Sequence, residues 1–207
     1  MPYSAGHKAD TRQRIIASAA DLLRSEGIAG TGIAKVMKHA GLTHGGFYAH
    51  FNSKNDLVSA AFEEAVLDAG RKLTEGLEGI EKQERLAHYI GRYFSRVPRD
   101  NPELGCPLAA LGSELSRGDE GARQGFERGL RRLVSGLDKL LPVELINAHT
   151  ANAADDELFL AVMSMMVGGL MLSRAVGDQD YSDHILRSTR RAAVELLHKP
   201  VNAGDIQ

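Results

Sequence analysis

Residues 40–54 read Ala40-Gly41-Leu42-Thr43-His44-Gly45-Gly46-Phe47-Tyr48-Ala49-His50-Phe51-Asn52-Ser53-Lys54, and this stretch decides the fold. Gly41 stops one short helical run, predicted over 33–40, Leu42 fills the corner, and a second short helix is expected over 43–50. Two helices this short cannot make a core of their own, so longer neighbours must cover them. Upstream, Ile15, Ile16, Ala19, Leu22 and Leu23 share one helical stripe. The spacing predicts a first helix that starts near Asp10 or Thr11, whose oxygens suit a cap, and that ends at Gly27. Downstream, Ser53 with Asp56 makes a Ser-x-x-Asp start for a longer fourth helix carrying Leu57, Ala61, Phe62, Ala65, Val66, Ala69 and Leu73. The first three helices therefore form a small head containing a helix-turn-helix.

Helical spacing of apolar residues continues through the remaining chain, while period-two alternation is missing, so the predicted class is all-α. Glycines at 76 and 79 mark a break. A helix over 84–97 follows, and the prolines at 98 and 102 predict a non-helical connection. Cys106-Pro107 starts the next helix, with proline at the first position, where its missing N–H costs nothing. That helix runs to about 117, and further helices are expected over 120–141, 155–176 and 182–198. The division expected is a helix-turn-helix head over 9–55 and a larger helical body over 56–200.

Net charge is only −2, which excludes a globally basic nucleic-acid binder, yet the charge is uneven. Residues 1–60 hold seven Lys/Arg against four Asp/Glu, or +3, which leaves −5 for the remainder. His7, His39, His44 and His50 also lie in that basic segment. The single cysteine excludes an intrachain disulfide and fits a reducing cytoplasm. No signal-peptide pattern opens the chain. The apolar run over 158–172 is shorter than the ~20 residues of a spanning helix, and reads as a buried core helix and not a membrane segment. Catalysis finds no foothold: no nucleophile–base pairing, phosphate-cradling glycine loop or paired metal-ligand spacing occurs, so no catalytic residue, metal or cofactor is expected.

The string Thr11-Arg12, Ile15-Ile16, Ala19-Ala20, Leu22-Leu23, Gly27, Thr31, Ala40-Gly41-Leu42-Thr43, Gly45-Gly46-Phe47-Tyr48 and His50-Phe51-x-Ser53-Lys54 resembles the tetracycline-repressor (TetR) family of regulators over residues 9–62. Two positions depart from it: Lys35 stands where the family usually has an acid, and Met37 where it usually has Ala. The resemblance implies a dimeric regulator of double-stranded operator DNA, most simply a repressor released by a small-molecule effector. Physically, Arg12, Thr31, Lys35 and Lys54 fall at or near helix beginnings, where they can meet phosphate oxygens and set register. Thr43 and His44 open the recognition helix, whose first residues reach base edges in the major groove. Gly45 and Gly46 permit close backbone approach, and Tyr48 and His50 are implied phosphate contacts. Phe47 and Phe51 belong to the small core. The plainer alternative for an unaided helix-turn-helix is a helical subdomain with no nucleic-acid role.

For the body, the resemblance implies a ligand pocket and pairing of two subunits through the last two helices. Aromatic and methionine residues line adaptable apolar sites, which singles out Tyr89, Tyr93, Phe94, Leu111, Phe126, Leu130, Met163 and Met166; plain core is the competing reading. Residues 159–171 are apolar on nearly every side, so one face is expected against the same chain and another against a partner, making a homodimer; a monomer with a fully buried central helix is the alternative. Gly168 and Gly169 would let a helix approach closely. Cys106, at a helix start, has two readings: a thiol sensor for electrophiles or oxidants, and a small residue filling a bend. A helical small-molecule carrier or enzyme is the alternative from another class.

Overall fold

The computed structural model describes residues 5–137 and 157–198. Every regular element among them is helical: α1 Ala5–Gly30, α2 Ile33–His39, a 3₁₀ segment His44–Ala49, α3 Lys54–Thr74, α4 Lys82–Tyr93, α5 Arg96–Asp100, α6 Pro107–Ser116, α7 Glu120–Leu137, α8 Glu157–Ala175 and α9 Gln179–His198. The chain is all-α, as its periodicity predicts. The part of the helix expected over 120–141 that lies beyond Leu137 falls outside the described residues.

Contacts divide the chain into two compact units. One comprises Met1–Lys72 with Asn101–Leu133, the other Leu73–Asp100 with Val134–Gln207. In the first, α1 buries Ile15, Ile16, Ala19, Leu22 and Leu23 on the predicted stripe. The helix begins at Ala5, earlier than the cap expected at Asp10 or Thr11, and Thr11 is a buried residue inside it. Ala5, Lys8 and Ala9 are good helix formers with no proline among them, so nothing stops the helix short of them. Its path breaks at Gly27, at φ 73° and ψ 178°, a conformation that side-chain-bearing residues avoid. One more turn follows, to Gly30.

The turn of the helix-turn-helix is a Schellman motif. Gly41, at φ 71°, donates its N–H to the Lys38 carbonyl at 3.0 Å, and the Leu42 N–H reaches the Met37 carbonyl at 2.8 Å. The second short helix then winds as 3₁₀ instead of α. Six residues containing two glycines gain too little from α-helical propagation to offset its nucleation. Phe47 and Phe51 stack inside the head at 5.6 Å between centroids. The Ser53 hydroxyl accepts the Asp56 N–H at 3.1 Å, and the Asp56 carboxylate accepts the Asn52 N–H at 3.2 Å, so α3 starts where the Ser-x-x-Asp signal places it. Further along α3, Phe62 stacks on Phe126 of α7 at 5.8 Å. Gly129 makes that approach possible: a Cβ there would lie 2.7 Å from Phe62 Cε1.

In the second unit, α4, α5, α8 and α9 pack around Tyr89, Ile90, Phe94, Phe159, Met166 and Leu170. Pro98 lies inside α5, where a connection was expected. Its ring occupies the first turn of a five-residue helix, and an N–H there has no intrahelical acceptor to lose. α9 begins at Gln179, ahead of the expected 182, because the Asp178 carboxylate accepts the Tyr181 N–H at 2.7 Å. Of the two glycines on α8, Gly169 supports the close packing, with Thr189 Cγ2 at 2.7 Å and Phe94 Cε1 at 2.9 Å from a built Cβ, whereas Gly168 has open space. Buried Arg99 ties α5 to α9 through an ion pair with Asp183 at 2.5 Å and a hydrogen bond to Ser182 Oγ at 3.2 Å.

Candidate nucleic-acid interface

The 3₁₀ segment alternates inward and outward residues over a very short length. Phe47 is fully buried, while Thr43, His44 and Gly45 are exposed and Tyr48 presents 66 % of its surface to solvent. Gly46 is half-buried, with Met37 Cε 3.6 Å from a built Cβ. An aromatic ring held outward by edge contact with Phe47, at 5.1 Å, is a rigid amphipathic probe with a phenolic donor. His50, two residues on, is half-buried, and its Nδ1 has no hydrogen-bond partner among the described residues. Burial, then the charges of Lys8 and Arg12, hold the His50 imidazole below its ordinary pKa. Arg12 is exposed, and its guanidinium lies 4.8 Å from the centre of the Phe51 ring.

The other residues expected to meet phosphate have partners inside the head. Thr31 is buried and its hydroxyl donates to the Gly27 carbonyl at 2.7 Å. Lys35 pairs with Glu26, and Lys54 Nζ donates to the Ile28 carbonyl at 2.8 Å. Sequence reasoning passed over Arg14, whose Nη2 donates to the Ala40 carbonyl at 2.7 Å and so braces the end of α2. A cation directly before the apolar stripe is too common a pattern to signal that role. It also passed over buried Arg24, ion-paired with Asp21 at 2.7 Å and Asp68 at 3.0 Å, which fixes α3 to α1.

Glu114 of α6 reaches back to α1. Its carboxylate accepts the N–H groups of Ile28 at 2.9 Å and Ala29 at 3.2 Å, capping the turn that follows the break at Gly27. Those partners lie 86 and 85 residues away, which leaves no local sequence signal for the contact.

The expected ligand-lining residues do not fall in one unit. Leu111, Phe126 and Leu130 belong to the first; Tyr89, Tyr93, Phe94, Met163 and Met166 belong to the second and are all buried. Tyr93 and Phe94 meet edge to face at 5.3 Å. Arg92 donates to the carbonyls of Leu73 at 3.0 Å and Glu75 at 2.6 Å. Cys106 is a buried thiol outside any disulfide at the N-cap of α6, 4 % exposed.

A helix-turn-helix carried by α1 and α3, with one exposed reading surface, defines a class of nucleic-acid-binding head. The sequence profile of bacterial regulatory proteins of the tetR family matches residues 15–61. An uncharacterized HTH-type transcriptional regulator of Mycobacterium tuberculosis is 27 % identical over 86 % of this chain and 92 % of its own length. The HTH-type transcriptional repressor NemR of Escherichia coli K12 is 26 % identical over 64 % of this chain and 67 % of its own. Among solved structures, a TetR-family transcriptional regulator from Cytophaga hutchinsonii superposes with a TM-score of 0.72 at 20 % identity, covering 95 % of this chain and 100 % of that one. The reduced form of E. coli NemR gives 0.69 at 22 % identity, covering 90 % and 96 %. Residues 15–61 thus match the tetR-family model, and the chain as a whole is similar to regulators of the TetR family.

Proposed function

We propose that this regulator binds operator DNA as a homodimer, with the 3₁₀ segment of each head in a major groove, and leaves it when a small molecule binds the body. One observation carries the reading: Thr43, His44, Gly45 and Tyr48 stand exposed together while their neighbours Phe47 and Phe51 anchor the same turn from within. Thr43, His44 and the glycine backbone supply base-edge and close-approach contacts, and Arg12, Tyr48 and His50 the phosphate contacts. Lys35 and Lys54 join them by exchanging their present partners, Glu26 and the Ile28 carbonyl, for phosphate. Thr31 positions the head through Gly27. Affinity therefore falls steeply with salt.

Pairing is supported by α8. The helix is long and apolar enough to cross a membrane by length and composition, yet only 44 % of its apolar window is buried within the protein. Met171 and Leu172 on it, and Tyr181 on α9, are 46, 55 and 59 % exposed. A second subunit covers these faces in the proposal. The effector is assigned to the buried aromatic and methionine cluster of the second unit, Tyr89, Tyr93, Phe94, Met163 and Met166. It releases DNA only by favouring a conformation whose heads are wrongly spaced.

A second reading gives Cys106 the signal. The thiol sits at the start of α6, the helix whose Glu114 caps Ile28 and Ala29, so a change at the sulfur acts on the element that grips the end of α1. A Cys106→Ser protein that still loses DNA on treatment with an electrophile ends that reading.

The test is selection of genomic fragments at low ionic strength, followed by titration with Tyr48→Ala. The reading expects a specific duplex to be retained, and Tyr48→Ala to weaken it roughly tenfold, as for loss of about one hydrogen bond with its ring contact, with an unchanged melting curve. Failure to enrich any fragment overturns it.

A further inference from the structure

A cavity of about 470 Å³ opens within the first unit where the end of α1, the start of α3, the end of α6 and the start of α7 meet. Its apolar wall is made by Val58 and Leu115, both buried, with Ala122 beside them. Lys54, Arg117, Glu114 and Asp119 also line it, two cations and two carboxylates. The four charges are not equivalent.

Both carboxylates are already served by donors. Glu114 accepts the Ile28 and Ala29 N–H groups at 2.9 and 3.2 Å. Asp119 accepts the Ala122 N–H at 2.9 Å on one oxygen and the Asn55 side-chain amide on the other. Lys54 uses one ammonium proton on the Ile28 carbonyl, at 2.8 Å, and keeps two. The Arg117 guanidinium has no hydrogen bond or ion pair among the described residues, so its planar fork is open. What the cavity still offers is therefore cationic donors on one side and hydrocarbon on the other.

We propose that this cavity binds a small organic monocarboxylate, with the carboxylate held by Lys54 and Arg117 and a compact hydrocarbon portion against Val58, Leu115 and Ala122. The volume falls in the ~300–1,000 Å³ range of small-molecule sites. A neutral molecule leaves the two cations without the charge-assisted bonds that favour an anion. An inorganic anion leaves the apolar wall uncovered, and an organic cation meets two positive charges beside carboxylates that already hold N–H donors. The site belongs to the first unit and shares no residue with the aromatic and methionine cluster of the second.

The experiment titrates the full-length protein with benzoate and hexanoate, and with the neutral benzamide and hexanamide, by calorimetry and by amide chemical shifts. The expected result is saturable binding of at least one acid, with shifts at Ile28, Ala29 and Gly118, and about tenfold or more weaker binding of the matched amide, as loss of a charge-assisted bond implies. Arg117→Ala, at an exposed position that leaves the fold intact, lowers acid affinity by about tenfold and leaves amide affinity unchanged. Ala122→Phe fills the cavity and removes binding of both. No binding of either acid at millimolar concentration, equal affinity for acid and amide, or shifts confined to the second unit overturns the proposal.

Discussion

Replacing Glu114 with alanine tests the long-range contact that sequence reasoning missed. The carboxylate accepts two backbone N–H groups, from part-buried Ile28 and exposed Ala29. A hydrogen bond to a charged group contributes about 1.5–3 kcal/mol, and water replaces most of what is lost at an exposed donor. The expected destabilisation is therefore about 2 kcal/mol, nearly all from Ile28. Glu114→Gln keeps a carbonyl acceptor and loses only the charge assistance, for about 1 kcal/mol. Urea unfolding reads both: the midpoint drops in that order while the m-value stays constant, because the same surface is exposed on unfolding. An alanine variant within about 0.5 kcal/mol of the parent, the ordinary scatter of surface substitutions, refutes the claim that this carboxylate secures the end of α1.

Other outcomes follow from packing and charge. Gly129→Ala forces a Cβ to 2.7 Å from Phe62 Cε1 and 3.1 Å from Val66 Cγ2, and should cost about 1 kcal/mol or more despite the better helix former, whereas Gly136→Ala on the same helix, with nothing within 4 Å among the described residues, should gain up to about 1 kcal/mol; thermal melts of the pair check both. At Asp68, burial pushes the carboxyl pKa up, but hydrogen bonds from Lys72 and Arg24 with their charges outweigh it and hold the value low. That stabilisation is complete above the unfolded carboxylate range and is lost as pH falls through the depressed folded value, so Asp68→Asn should flatten the acid limb of a stability–pH curve below roughly pH 5. Burial and the charges of Lys8 and Arg12 hold the His50 pKa below its ordinary value in the free protein, and a nearby phosphate favours the protonated form. DNA binding should then take up a proton, with affinity rising as pH falls from roughly 7.5 to 5.5, and His50→Gln should reduce that slope measured by fluorescence anisotropy.

The head was legible because its signals are local. Gly41 ends α2, Ser53 with Asp56 starts α3, and alternating burial separates Phe47 and Phe51 from Tyr48, all within a dozen or so residues. The 3₁₀ winding was not legible, since periodicity distinguishes it poorly from α over six residues. Pro98 misled because proline blocks a helix interior but not a first turn. Thr31, Lys35 and Lys54 carry the residue types of phosphate contacts, yet in the structure they hold Gly27 one turn back, Glu26 and the Ile28 carbonyl, partners that residue type does not announce. The ligand-lining residues were chosen by type, and residue type does not say which unit a side chain joins; that is why Phe126 lies on Phe62 and apart in membership from Tyr93.

The most direct measurement of the proposed DNA docking is a hydroxyl-radical footprint on a selected duplex. The account predicts two protected patches on one face, their centres about one helical turn or ~34 Å apart, both needing about tenfold more protein to appear with Tyr48→Ala. A uniform cleavage ladder, or one isolated patch at saturating protein, would contradict it.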